Sequence, residues 1–177
     1  FYEVAGEEIE DISTKLGIDR TTGGRAVVSG HILGRRNDIF AANEQGPSFL
    51  YQNFDGRFVD RAVEFGVDDA RQNGRGTALA DILYDGRLGI IIGNWNGYHR
   101  AYVPAQNSFL DYATDAFREP SLVRTVISAD FDNDGFDEIF FNNIGQPNRM
   151  FRVRDGGVLE PVALSAALEA DGLGTGA

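Results

Sequence analysis

The feature that most constrains this chain is that it repeats itself about every fifty residues. Asp130, Asp81 and Gly30 are separated by 49 and 51 positions. The same separations recur for Glu138, Gly89 and Asp38, and for Asn143, Asn94 and Asn43. Met150-Phe151, Ala101-Tyr102 and Leu50-Tyr51 follow them in step. A further apolar segment opens at Ile9, Phe58, Phe109 and Val158, each with an acid two residues on: Asp11, Asp60, Asp111 and Glu160. Landmarks that hold one register make chance a poor explanation. They require one supersecondary unit, used several times.

Each unit reads as four short strands. In the second these are Thr77–Asp81, Leu88–Gly93, Arg100–Val103 and Phe109–Tyr112. Asp55-Gly56, Asp85-Gly86 and Asn96-Gly97 are turn pairs suited to tight hairpins. Ala62–Phe65 and Ala113–Phe117 then lead onward as loops or helical turns. Four strands at a period of roughly 40–50 residues mark β-propeller blades, whereas a β-solenoid has a shorter period and no four-strand unit. The first strand of each unit is apolar or small, as a strand packed between neighbouring blades should be.

The expected fold is therefore all-β, with about three blades' worth of four antiparallel strands from a larger propeller of about seven blades. The units fall at 1–23 (partial), 24–73, 74–122 and 123–171. Residues 172–177 align with Gly74–Leu79 and are expected to open a further first strand. Three blades do not close a ring of roughly four to eight. Either a longer chain or partner chains would complete it. The chain starts at Phe1 with no leader-like segment, so processing or a longer parent is expected.

Chemistry concentrates in DFDNDGFDE, Asp130 to Glu138. Apolar runs Thr125–Ala129 and Ile139–Phe141 flank it, so it reads as strand, acidic loop, strand. Carboxylates crowded this closely repel one another, and a hard cation relieves the repulsion. Ca²⁺ accepts about six to eight oxygens in flexible geometry. Asp130, Asp132 and Asp134 are the expected side-chain ligands, Glu138 the closing and bidentate one, and the Phe136 carbonyl a further donor. Asp137 is expected to point outward, and Gly135 to take the sharp turn. A helical EF-hand loop would need its Glu at about the twelfth position, where this chain has Phe141. The second loop keeps Asp81, Asp85 and Gly86 but has Leu83 and Gly89 at ligand positions, and the first keeps only Asp38. One strong site, one doubtful site and one empty turn are expected.

Sixteen Lys and Arg against 27 Asp and Glu give a net charge of −11. That balance disfavours nucleic acid and anionic membrane surfaces and suits a carrier of divalent cations. Cysteine is absent, which excludes disulfides and thiolate metal sites. The sequence has no apolar run of about 18 residues, so no membrane insertion is expected. A site of this kind fills in calcium-rich surroundings, which points outside the cell.

The same residues carry a resemblance. DFDNDG before an apolar strand is similar to the FG-GAP or VCBS repeat of integrin-α-like propellers. NGRGTALAD (Asn73 to Asp81), IIIGNWNGYHRAY (Ile90 to Tyr102), VRTVISADFDNDGFDEIFFNNIG (Val123 to Gly145), NRMFRV (Asn148 to Val153) and NEQGPSFLYQN (Asn43 to Asn53) more closely resemble the cartilage acidic protein family and its bacterial relatives. The resemblance implies a secreted or cell-surface calcium-binding propeller that acts in adhesion or matrix recognition. Its partner would be a protein or glycan, with self-association an option. The ASPIC/UnbV and EGF-like parts of that family lie outside this sequence.

No catalytic role is expected. His31 and His99 read as surface or turn histidines. The sequence contains no G-x-S-x-G elbow and no phosphate-binding glycine loop. Asp68-Asp69 and Glu7-Glu8 read as solvated turn charges. Trp95, Tyr98 and Tyr102 suit either a recognition surface or, more simply, packing within and between blades. Two alternatives stay open: a non-catalytic accessory propeller of a secreted enzyme, and a subunit of a polymeric extracellular assembly.

Overall fold

Short strands joined by tight turns can pair only with their neighbours in sequence, and they do so antiparallel. The computed structural model describes residues 1–165, 168 and 172. A first hairpin joins β1 (Tyr2–Ala5) to β2 (Glu8–Asp11) and leads into the helical turn α1 (Ser13–Leu16). Three four-stranded sheets follow, each with its strands in chain order. The first comprises β3 (Gly24–Gly30), β4 (Asp38–Asn43), β5 (Phe49–Phe54) and β6 (Arg57–Asp60), followed by α2 (Ala62–Phe65). The second comprises β7 (Gly74–Ala80), β8 (Gly89–Asn94), β9 (Arg100–Pro104) and β10 (Phe109–Asp111), followed by α3 (Asp115–Arg118). The third comprises β11 (Val123–Ala129), β12 (Glu138–Asn143), β13 (Arg149–Arg154) and β14 (Val158–Val162). Of the expected further strand at 172–177, all but Gly172 lies outside the described residues. No helix among the described residues is long and apolar enough to cross a membrane.

The all-β expectation holds, and β8 shows how the sheets are held together. All of Gly89–Asn94 is buried. Alternation along the strand sends Ile91 to one face and Ile90 and Ile92 to the other. Ile91 joins Ala78, Val126, Phe141 and Phe151 between the second and third sheets. Ile90 and Ile92 join Phe40, Leu50 and Phe109 between the first and second. A strand covered on both faces needs no polar alternation, which explains the unbroken Ile90-Ile91-Ile92 run. The rings of Phe117, Phe141 and Phe151 meet at centroid distances of 4.8 to 5.7 Å.

The first strands lie side by side, with β7 packed against both β3 and β11. Glycine permits the approach: a Cβ on Gly76 would lie 2.7 Å from the Val126 backbone nitrogen. β7 begins earlier than propensity suggests, at Gly74 and not Thr77, because glycine dilutes the strand signal. All three first strands carry a bulge near their start, between Gly24 and Ala26, Gly74 and Gly76, and Val123 and Thr125.

The repeated polar landmarks are structural fasteners. Asp60 Oδ1 accepts the Leu50 and Ala62 N–H groups at 3.2 and 3.0 Å, and Asp111 Oδ1 accepts those of Ala101 and Ala113 at 3.3 and 3.1 Å. Glu160 is one methylene longer and instead pairs with Arg154 at 3.0 Å. The Nδ2 groups of Asn43, Asn94 and Asn143 each donate to the carbonyl four residues on, at Pro47, Tyr98 and Pro147. One landmark shifts. The first loop spans 31–37, one residue shorter than 81–88 and 130–137, so His31 and not Gly30 takes the place of Asp81 and Asp130.

Candidate metal centre

The acidic loop between β11 and β12 is folded by its own carboxylates. Asp130 accepts the Asp134 N–H through Oδ1 at 3.1 Å and the Gly135 N–H through Oδ2 at 3.0 Å. Asp132 Oδ1 lies 3.2 Å from the same Asp134 nitrogen, and Asp134 Oδ1 accepts the Phe136 N–H at 2.9 Å. Asn133 and Gly135 adopt φ of +59° and +92°, a region open to Asn and Gly. Glu138 opens β12 and is only 1% exposed. Its Oε2 accepts the Phe131 N–H at 3.0 Å.

Carboxylate oxygens of Asp130, Asp132 and Glu138 all lie within 4.8 Å of one another. Two oxygens bound to one Ca²⁺ at about 2.4 Å are at most about 5 Å apart, so this trio fits a single hard cation. Asp134 stands exposed beside the trio and is not one of its three members. Phe136 contributes its amide to the Asp134 contact, and its ring packs edge-on against Tyr84 at 4.4 Å. Asp137, expected to point outward, is half-buried. Burial first, then the charges of Asp130, Glu138 and Asp81, raise its carboxyl above the usual range.

Two residues of this site escaped the sequence reading. Arg152 of β13 donates from Nε to Glu138 Oε1 at 2.9 Å and pairs through Nη2 with Asp132. The hydrogen bond to Glu138 is the main reason its guanidinium is held further above its usual range. Its signal lay in the hairpin register, since Glu138 and Arg152 are cross-strand partners. Tyr84 reaches over from the second sheet, and its Oη accepts the Asp137 N–H at 3.0 Å. Burial pushes the Tyr84 hydroxyl up to about 12. Nothing in the local sequence signals that contact.

The second loop keeps the fold of the third without its donors. Asp81 accepts the N–H groups of Asp85 and Gly86 at 3.2 and 2.8 Å, and Asp85 Oδ1 accepts that of Arg87 at 3.1 Å. Its remaining carboxylate, Asp85, is paired with Arg87. A side chain at Gly89 would start 2.6 Å from the Tyr102 carbonyl oxygen, so a closing acid does not fit there. In the first loop Asp38 is 2% exposed and accepts the Leu33 and Asn53 N–H groups at 2.7 and 2.9 Å.

The other candidates disperse. Tyr102 is buried, Trp95 lies under the Arg75 guanidinium, and Tyr98 is exposed, so they do not form one surface. Glu7 and Glu8 are exposed, as expected. Asp69 is not solvated: it accepts from Arg100 Nε at 3.1 Å and Asn94 Nδ2 at 2.7 Å. His31 is exposed, but His99 is fully buried, 3.0 Å from both the Asn94 backbone nitrogen and Ser121 Oγ.

No family model matches the chain. It is 48% identical to cartilage acidic protein 1 of Homo sapiens, 47% to that of Mus musculus and 46% to that of Xenopus tropicalis. Each match covers 95% of this chain but 28% of the relative, so the chain spans little more than a quarter of those proteins.

Proposed function

Because the chain belongs over this segment to the cartilage acidic protein family, we propose that it is part of an extracellular, calcium-binding β-propeller. Its blades are of FG-GAP/VCBS type, and it serves protein or matrix recognition without catalysis. The propeller reading is supported by three sheets of identical strand order whose first strands lie together and whose faces share two cores. A ring of roughly four to eight blades needs more than three, supplied by further sequence or by partner chains.

The observation that carries the calcium reading is the trio of carboxylates within 4.8 Å on a loop already bent by its own hydrogen bonds. Asp130, Asp132 and Glu138 hold the ion, with Asp134 and the Phe136 carbonyl completing the oxygen set. The ion neutralises the crowded acids. Its role is structural: it fixes the loop against Tyr84 of the neighbouring sheet. A non-catalytic role is supported by His99, whose two ring nitrogens are both engaged inside the core.

Calorimetric titration of the protein with Ca²⁺, beside Asp132→Ala, tests this. One site that disappears on substitution is the expected result. Binding that is unchanged by Asp132→Ala removes the assignment.

A further inference from the structure

The second residue of each first strand is an arginine: Arg25 in β3, Arg75 in β7 and Arg124 in β11. These strands are adjacent, and each bulges at its arginine, so the repeat delivers three guanidinium groups to one end of the stack. There they line a single cavity of about 310 Å³ together with Ala26, Gly76 and Thr125. A cationic cavity is unexpected on a chain of net charge −11.

The arginines are only partly neutralised. Arg25 and Arg75 share one carboxylate, Glu44. The Arg75 side chain is 12% exposed and stacks over Trp95 at 4.8 Å, and its buried Nε has no hydrogen-bond partner among the described residues. Arg124 is half-buried with no ion pair among the described residues. Three positive charges against one negative leave a local excess of two. Guanidinium forks match the paired oxygens of tetrahedral anions.

We propose that Arg25, Arg75 and Arg124 form a binding site for a tetrahedral oxyanion carrying two negative charges, phosphate or sulfate. The site lies at the bulged end of the first strands and does not depend on the calcium reading.

Calorimetric titration of the protein with sodium sulfate and, separately, sodium phosphate at pH 8 tests it, with sodium chloride at matched ionic strength as reference. One site for either dianion, absent with chloride, is expected, and the anion that binds identifies the source. Arg124→Gln breaks no ion pair among the described residues and should keep the parent's near-ultraviolet circular dichroism while weakening binding by about tenfold or more. Arg25→Gln, on the opposite strand, should act likewise, and Arg124→Lys should fall between parent and Arg124→Gln. Heats indistinguishable from chloride for both dianions, or parent-like affinity in both glutamine variants, would overturn the proposal.

Discussion

Lowering the pH from 7.5 to 5 offers a proton to His99 that the folded protein has no means of accepting. Ser121 Oγ donates its hydrogen to Asn143 Oδ1 at 2.8 Å, so the 3.0 Å contact between Ser121 and His99 Nε2 has the imidazole as donor. Nδ1 is then the unprotonated nitrogen, and it accepts the Asn94 N–H at 3.0 Å. A proton added at Nδ1 would point at that N–H. Burial first, and then the charge of Arg149, lower the His99 pKa from 6.5 to about 3. The unfolded chain binds the proton near 6.5 and the folded chain does not, so this contribution is complete above pH 6.5 and lost as the pH falls toward 3. The slope is about 1.4 kcal/mol per pH unit, so reaching pH 5 costs about 2 kcal/mol. Asn148 occupies the equivalent place in the third sheet and accepts the Asn143 N–H at 2.8 Å, which makes His99→Asn the natural control. That variant keeps the acceptor and removes the titration. Urea unfolding of both proteins at fixed calcium, between pH 7.5 and 5, reads the difference. The parent should lose about 2 kcal/mol more than the variant over this range. Parallel losses would refute the reasoning.

Two further outcomes follow from the packing. Arg152→Gln removes a cation that competes for Asp132 and Glu138. Calcium affinity measured by calorimetry should rise several-fold, up to about tenfold, while calcium-free stability falls; a fall in affinity would mean that Arg152 supports the ion. Gly76→Ala places a methyl 2.7 Å from the Val126 nitrogen and should cost about 1–3 kcal/mol in chemical denaturation. Gly34→Ala, which meets nothing within 4 Å, should stay within about 0.5 kcal/mol of the parent.

Strand count and order were legible in the sequence because each sheet is built from consecutive segments, so periodicity and turn pairs report it locally. The acidic loop was legible for the same reason: Asp130, Asp132 and Glu138 lie within nine residues, and their spacing alone brings them together. Boundaries were less clear where glycine replaced β-branched residues, as at the start of β7. The shorter first loop was hidden because later landmarks keep a constant shift whatever the loop conceals.

The sequence by itself determined a repeated four-stranded unit, its turns and one cluster of oxygen donors, all properties of neighbouring residues. Only the tertiary structure decided which charges and rings meet across sheets. It set Tyr84 against the acidic loop, sealed His99 between Asn94 and Ser121, and drew Asp69 into a pair with Arg100. It also gathered Arg25, Arg75 and Arg124 around one cavity. Apart from Asn94 and His99, which are 5 apart, those contacts join residues about 20 to 100 positions apart. Their distances depend on how closely whole sheets pack, which no local pattern encodes.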